Sequence, residues 1–283
     1  GMTVMLFVSG TEFYNSAHWA NQHPKELPIF PLVFITVACG ALSGFHATQS
    51  PLMARCMANE KLGKPVFYGS MIAEGFIGLV WATVGMSFYQ GPEALAAALA
   101  AGGPGNVVSE SSFALMGTVG GVLAILGVVV LPITSGDTAL RGLRLTVAET
   151  LLIDQSTNSK RLGLSAIIFA LVAVILVFAK LNTQGFNILW RYFAWSNQTL
   201  SLFAFLAIAI WMFENGKKKF VWIPLIPGGF YTFITVTYIV NAKIGFNVPW
   251  TGAYIVGVVA AIAYVSVILW YGNKRSAGKP LKA

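Results

Sequence analysis

The chain has 283 residues, of which 56% are apolar and 10% are charged, and its mean hydropathy is +0.72. A water-soluble domain of this size carries about 25% charged residues, so this chain lacks the polar surface that folding in water requires. The composition therefore excludes a soluble enzyme, a disordered chain and a nucleic-acid-binding module. The net charge of +8 does not indicate nucleic acid as a partner, because the basic residues lie in short loops between long apolar runs.

Seven apolar runs are long enough to cross a bilayer, whose core of about 30 Å needs roughly 20 helical residues. The predicted spans are residues 31–47, 67–89, 113–133, 162–180, 192–213, 221–241 and 251–271. The runs are continuous rather than alternating, which favours helices over strands, and only helices satisfy the peptide groups of such runs in lipid. We therefore predict an all-α polytopic membrane protein, with a membrane domain of residues 1–271 and a basic tail of residues 272–283.

The distribution of lysine and arginine predicts the direction of the spans, because cytoplasmic loops carry an excess of both. Of the 18 basic residues, 14 fall in one set of alternating loops and in the tail, and four fall on the opposite side. The C-terminus is therefore predicted to be cytoplasmic and residues 10–30 to be outside. Residues 2–8 are apolar but too short to span, so they are either the tail of an earlier helix or a short interfacial segment.

The first span ends in a polar segment, residues 38–51, in which Gly40 and Gly44 leave one face bare for a neighbouring helix. The polar side chains here are Ser43, His46, Thr48, Gln49 and Ser50. A helix that breaks in this segment exposes peptide groups that can bind an anion or an ion, and His46 is suited to carry a coupled proton. The alternative is a helix end at the membrane surface, with Ser50-Pro51 beginning the next helix.

The second span carries an acidic residue, Glu74, on a stripe of small residues formed by Ser70, Gly78 and Gly85. We expect this stripe to face the interior of the bundle. Placing a carboxylate inside a membrane costs free energy, so such a residue is expected to have a function: to bind a proton, to pair with a cation or to line a transport path. The alternative is a protonated side chain that donates a hydrogen bond to a neighbouring helix.

The third span ends in residues 128–144, where Pro132 is expected to disturb the helix before a polar cluster. That cluster consists of Thr134, Ser135, Gly136, Asp137 and Thr138. It predicts a second broken-helix site that includes an acid. The alternative is that Ser135 or Asp137 caps a following amphipathic helix that rests on the inner membrane surface.

The fifth span begins with an aromatic belt and then two amides, Asn197 and Gln198, one turn before Ser201. These amides are able to bind a carboxylate or to bridge helices. Sequence signatures of metal proteases, thiol redox proteins, serine hydrolases and ATPases are missing, and three histidines offer no ligand set. We therefore predict a protein that is not an enzyme and uses no metal or cofactor, and any pumping would draw on an ion gradient.

Four ordered blocks of the sequence carry a resemblance to a known family. They are residues 43–60 (SGFHATQSPLMARCMANE), 66–82 (VFYGSMIAEGFIGLVWA), 126–141 (LGVVVLPITSGDTALR) and 190–200 (WRYFAWSNQTL). Together they resemble the carbon starvation protein CstA family over most of residues 30–215. The resemblance implies a multi-pass transporter of the bacterial inner membrane, induced by carbon starvation, which moves peptides or pyruvate-like carboxylates with protons. It also implies part of a broken-helix, inverted-repeat fold of the amino-acid/polyamine/organocation type, with substrate near mid-membrane.

The leading hypothesis from the sequence is a proton-coupled secondary transporter that imports a peptide or a small monocarboxylate. Its predicted substrate-binding residues are Ser43, Gly44, Gln49, Ser50, Thr134, Ser135, Gly136, Asp137, Asn197 and Gln198. His46 and Glu74 are the predicted proton carriers. Family members are longer at the N-terminus, so the alternative is a non-transporting membrane subunit, or a truncated fragment, that needs a missing N-terminal half or partner chain.

Overall fold

The computed structural model describes residues 1–10, 20, 21, 23, 26–37, 42–89, 91–182 and 184–277. Within these ranges the chain forms helices joined by turns, and no strand is present. The α-helices are α1 (Met2–Val8), α2 (Ile29–Thr36), α3 (Gly44–Cys56), α4 (Ser70–Ser87), α5 (Pro92–Thr150), α6 (Asn158–Leu181), α7 (Gly185–Glu214), α8 (Trp222–Asn241) and α9 (Trp250–Ala277). A 3₁₀ turn (Glu60–Leu62) and a π-helical turn (Lys64–Gly69) precede α4.

In the described ranges, six helical stretches are long and apolar enough to cross a membrane. They are Glu60–Ser87, Pro92–Thr150, Asn158–Leu181, Gly185–Glu214, Lys218–Asn241 and Trp250–Ser276. The chain is therefore an all-α polytopic membrane protein, which confirms the predicted fold class. The seventh predicted span, residues 31–47, is not one continuous helix. The helix α2 ends at Thr36 and α3 begins at Gly44, while residues 38–41 lie outside the described residues.

The interruption of this span lies toward the N-terminal end of the polar segment, residues 38–51, that was expected to break. Residues 44–50 are helical, and α3 continues through Pro51 to Cys56. A proline inside a helix removes one backbone donor. The hydroxyl of Ser50 donates to the carbonyl oxygen of His46 at 2.7 Å, which adds a hydrogen bond to the same turn. A break within residues 38–51 is therefore confirmed at residues 42 and 43, before Gly44, whereas Ser50-Pro51 lies inside α3 and does not begin a helix.

The chain forms two compact units, and α5 contributes to both. The first unit comprises Gly1–Pro28 and Met57–Leu143. Its core is a small apolar cluster in which Leu6 of α1 and Val84 of α4 pack with Leu115 of α5.

The second predicted helix break, at residues 134–138, is wrong, because α5 is helical through Pro132 and through this whole segment. The polar side chains bond within their own helix. Thr134 donates to Leu131 at 2.9 Å, and Thr138 donates to the carbonyl oxygen of Thr134 at 3.0 Å. Asp137 pairs with Arg141 at 2.8 Å. Neither Ser135 nor Asp137 caps a new helix, since no helix begins there.

The irregular positions of α5 are two glycines instead. Gly103 has φ 69° and ψ −165°, and Gly117 has φ 66° and ψ −171°. This conformation is essentially restricted to glycine. The backbone of α5 is thereby irregular at two positions, one directly before Pro104 and one that no proline marks.

Replacement of Gly117 with alanine is expected to lower the free energy of unfolding by about 1–3 kcal/mol, because the added Cβ strains the backbone at positive φ. Gly127→Ala is the matched control, since Gly127 is helical and a Cβ there meets no atom within 4 Å. Alanine at this position is expected to be neutral or slightly stabilising. Thermal unfolding of both variants in the same detergent checks the difference, and equal midpoints would contradict it.

The second unit comprises Ile29–Cys56 and Arg144–Ala283, and α7 is its central helix. This helix contacts α2, α3, α6, α8 and α9. Its buried positions recur every three or four residues, as expected for one packed face: Ala194, Asn197, Gln198, Ser201, Leu202, Ala209 and Phe213. Small residues let α8 and α9 approach closely, since a Cβ on Gly228 would lie 2.9 Å from the Tyr264 ring.

Candidate functional site

Two consecutive amides of α7 lie at the interruption between α2 and α3. Asn197 is 6% exposed and Gln198 is fully buried. The oxygen Oδ1 of Asn197 accepts a hydrogen bond from the backbone N–H of Phe45, in α3, at 2.9 Å. The amide Nε2 of Gln198 donates to the carbonyl oxygen of Phe34, in α2. One side chain therefore bonds to the helix on each side of the interruption.

The first turn of α3 carries backbone donors that its own helix does not use. The first four N–H groups of any helix lack an intrahelical acceptor, and a side chain just before the helix commonly supplies one. Here Asn197 supplies it from another helix, to the second residue of α3. The hydroxyl of Ser43 bonds to the same amide oxygen at 3.3 Å. The remaining donors of this turn form the positive end of the α3 dipole, which attracts anions.

Gly44 allows α3 to begin in direct contact with α7. A Cβ at this position would overlap the backbone oxygen of Asn197 and would lie 2.6 Å from Cβ of Leu200. The close approach predicted for this glycine is therefore confirmed, while Gly40 lies outside the described residues. Because any side chain here would push the helices apart, Gly44 fixes the distance between the α3 donors and the α7 amides.

Aromatic side chains hold α2 against α8 beside these amides. The ring of Phe34 meets the ring of Phe230 edge to face, with centroids 5.0 Å apart. The indole Nε1 of Trp195 donates to the carbonyl oxygen of Thr235 at 3.2 Å, which ties α7 to α8 two residues before Asn197. The sequence interpretation missed this contribution of α8. The sequence of α8 did contain a signal, because three threonines lie within six positions. They are Thr232, Thr235 and Thr237, and all three are buried.

One buried hydrogen-bond acceptor at the interruption is the side-chain oxygen Oε1 of Gln198. Among the residues that the structure describes, no group donates a hydrogen bond to Oε1 of Gln198. Leaving a buried polar atom unsatisfied costs about 1–3 kcal/mol, so such atoms in native proteins usually have a role or a partner. An amide oxygen can accept a hydrogen bond from an amine, an amide or a hydroxyl group of a ligand.

The structure brings together four of the predicted site residues: Ser43, Gly44, Asn197 and Gln198. Three others follow on the first two turns of α3, where Gln49 is buried and His46 and Ser50 are half-buried. Thr134, Ser135, Gly136 and Asp137 belong to the first unit, on α5. The side chains of Thr134, Ser135 and Asp137 are exposed, and no part of their helix unwinds.

Glu74 also belongs to the first unit, where it is half-buried on α4. The stripe predicted around it does not face a packed interior, because Ser70 and Gly78 are exposed and a Cβ on Gly78 or Gly85 would meet no atom within 4 Å. Within its unit, α4 packs through an apolar residue, Val84, instead. In the described part of the chain, no three His, Cys, Asp or Glu side chains are grouped to hold a metal ion.

Comparison with known protein families shows which family the chain belongs to. The profile of the family described as carbon starvation protein CstA matches residues 4–101 and 89–238, which is well over half of the chain. The chain belongs to the carbon starvation protein CstA family. The resemblance noted in the four sequence blocks is thereby confirmed.

Individual members of the CstA family show how much of the chain is shared. The peptide transporter CstA of Escherichia coli K12 is 23% identical over 286 aligned residues, which cover 77% of this chain and 41% of the relative. A membrane protein of Haemophilus influenzae is 61% identical over 77 residues, covering 27% of this chain and 21% of that protein. The pyruvate/proton symporter BtsT of E. coli is 43% identical over 53 residues, covering 18% of this chain and 7% of BtsT.

The chain thus spans about two fifths of the length of E. coli CstA. No solved structure matches the chain significantly.

Proposed function

We propose that this chain forms the substrate site of a secondary transporter for peptides or small carboxylates such as pyruvate. The observation that carries the proposal is the pair of adjacent buried amides, Asn197 and Gln198, which bond to the helices on both sides of an interrupted span. The names of the relatives support it, since one is a peptide transporter and another is a pyruvate/proton symporter.

In this proposal the substrate carboxylate binds at the first turn of α3. The N–H groups of Gly44 and Ala47 donate to the carboxylate oxygens, and the helix dipole adds about 0.3–2 kcal/mol of stabilisation. Gly44 keeps this turn close to α7, and Ser43 helps to orient the amide of Asn197. The proposed site does not include Thr134, Ser135, Gly136 or Asp137, whose ligand roles stay predictions.

The oxygen Oε1 of Gln198, which accepts no hydrogen bond from the described residues, gives the proposed site a way to distinguish its substrates. A peptide carries N–H groups that can donate a hydrogen bond to this oxygen, whereas pyruvate carries no such donor. Gln198→Leu is therefore expected to lower the ratio of dipeptide uptake to pyruvate uptake about tenfold, which corresponds to about 1.4 kcal/mol for one lost hydrogen bond. The ratio of initial rates in proteoliposomes checks this expectation, and it is insensitive to a general loss of active protein. An unchanged ratio would remove Gln198 from substrate recognition.

We further propose that a proton is carried by His46 or Glu74. His46 lies in the first turn of α3, beside the proposed carboxylate site, and an imidazole ring can both accept and donate a proton. Glu74 is the acidic residue in the apolar part of α4.

Glu74→Gln is expected to lower pH-driven accumulation at least about tenfold while leaving substrate exchange at equal pH intact, because exchange needs no net proton movement. His46→Gln is the parallel variant. The measurement is accumulation of labelled substrate under an imposed pH gradient. If a variant accumulated substrate in response to the gradient as the wild type does, the substituted residue would not be the proton carrier.

The direct test of the proposed function is uptake of labelled pyruvate and a labelled dipeptide into proteoliposomes that contain the chain. Uptake above that of protein-free liposomes, saturable and stimulated by an inward proton gradient, is expected. Uptake that is unsaturable and insensitive to proton uncouplers would contradict carrier transport and indicate a passive channel. The inner membrane and a cytoplasmic C-terminus are part of the same proposal, the first because the resemblance to the family implies it and the second because the basic loops favour it.

The coverage of the relatives favours a second candidate function. Because the chain spans about two fifths of E. coli CstA, it is also suited to act as a non-transporting membrane subunit beside a second polypeptide. This alternative predicts no uptake by the chain alone, a partner that co-purifies with it, and uptake after both are reconstituted together.

A further inference from the structure

Three helix ends of the second unit meet at one place, the ends of α7 and α9 and the beginning of α8. Phe213 of α7, Val221 before α8 and Ile268 of α9 are buried in one cluster. A Cβ on Gly272 would lie 2.6 Å from Cγ of Phe213, so α9 touches α7 directly here. The guanidinium Nη1 of Arg275 lies 3.2 Å from a carboxylate oxygen of Glu214 and joins the two ends.

These ends carry a concentrated positive charge. The basic residues are Lys217, Lys218, Lys219, Lys274 and Arg275, and all five are exposed. Glu214 is the single acidic residue in the sequence of residues 211–222 and 264–276. Five cations therefore face one carboxylate, which already pairs with Arg275, so the lysines keep an excess of positive charge.

Exposed tryptophans place this charge beside apolar surface. The ammonium Nζ of Lys217 lies 4.7 Å from the centre of the Trp211 ring, and Nζ of Lys274 lies 5.3 Å from the centre of the Trp270 ring. The two tryptophans are 50% and 65% exposed. Tryptophan rings at the ends of membrane spans lie at the level of the lipid headgroups, and lysine side chains there reach toward the headgroup layer.

We propose that this basic end of α7, α8 and α9 binds the phosphate group of an anionic phospholipid. The lysine ammonium groups contact the phosphate, while the acyl chains lie along the exposed helix faces that begin at Trp211 and Trp270. A lipid fits better than free phosphate, because the cations stand over aromatic rings that continue into apolar helix surface. Each basic side chain near an anionic lipid surface strengthens association about fivefold. This site is separate from the transport proposal and does not depend on it.

The experiment titrates the purified full chain in neutral detergent with phosphatidylglycerol or with phosphatidylcholine, and counts bound lipid by native mass spectrometry. Phosphatidylglycerol is expected to bind at least tenfold more tightly than phosphatidylcholine. The triple variant K217Q/K218Q/K219Q is expected to lose at least tenfold of this preference. The triple variant K217R/K218R/K219R, which keeps the charge, is expected to retain it.

A matched control removes three charges elsewhere, in K61Q/K64Q/K160Q, and is expected to keep the preference within about twofold. Equal binding of the two lipids by the wild-type chain would overturn the proposal, as would an equal loss in both glutamine triple variants. Glycerol 3-phosphate is added at the same concentrations as a headgroup without acyl chains. If it displaced the lipid at equal concentration, the site would be one for free phosphate and the lipid assignment would be overturned.

Discussion

Replacing Gly44 with alanine is expected to abolish uptake and to lower the free energy of unfolding by about 1–3 kcal/mol, the usual cost of overpacking a filled site. The added Cβ would overlap the backbone oxygen of Asn197 and press on Leu200, so α3 would have to move away from α7. That movement breaks the hydrogen bond from Phe45 to Asn197. Thermal unfolding and initial uptake rates of the purified variant measure the two effects.

Gly163→Ala is the matched control for this prediction. Gly163 lies in α6 of the same unit, and a Cβ there meets no atom within 4 Å. We expect wild-type uptake and an unchanged or slightly higher unfolding midpoint, since alanine is the better helix former. If Gly44→Ala behaved like Gly163→Ala, α3 would not begin against α7 as the structure has it.

Replacing Asn197 separates the structural role of this side chain from its proposed role in the substrate site. Asn197→Leu leaves the N–H of Phe45 and the hydroxyl of Ser43 without their acceptor, at a cost of about 1–3 kcal/mol per buried group. Asn197→Asp keeps an acceptor for both, and a carboxylate at a helix N-terminus is favourable. The aspartate variant is therefore expected to be more stable than Asn197→Leu.

Uptake by Asn197→Asp is nevertheless expected to fall about a hundredfold or more. Two like charges about 4 Å apart repel by about 4 kcal/mol at the effective dielectric of a protein, so the new carboxylate would exclude that of the substrate. Asn187→Asp makes the same change at an exposed position of α7 and is expected to transport normally. Wild-type uptake by Asn197→Asp would show that no substrate carboxylate binds beside residue 197.

The sequence was informative where polar residues interrupt apolar runs within the second unit. Asn197 and Gln198 were predicted either to bind a carboxylate or to bridge helices, and the structure shows that both bridge. The bare face at Gly44 correctly predicted a close helix contact. These features could be predicted because a buried amide in lipid must find a partner and a glycine at a crossing leaves room for one.

The helix breaks themselves could not be located from residue types alone. Pro132 and the polar cluster after it suggested a break, but Thr134, Asp137 and Thr138 find hydrogen-bonding partners within α5 and the helix continues. Of the irregular positions, Gly103 directly precedes Pro104, whereas no proline in the sequence marks Gly117. Hydropathy does not predict the positive φ of these glycines, because it describes the polarity of side chains and not the conformation of the backbone. The burial of the stripe around Glu74 could not be predicted either. Periodicity places residues on one face of a helix, but it does not say which face is buried.

Hydrogen–deuterium exchange of the backbone amides at residues 42–49 tests the central claim most directly, because this segment contains the first turn of α3, whose N–H groups are the proposed donors to the substrate carboxylate. We expect saturating pyruvate or dipeptide to slow exchange at residues 42–49 in the full chain, with no change at residues 134–138. Exchange that is unchanged at residues 42–49, or slowed at residues 134–138 instead, would contradict the placement of the substrate site between α2, α3 and α7.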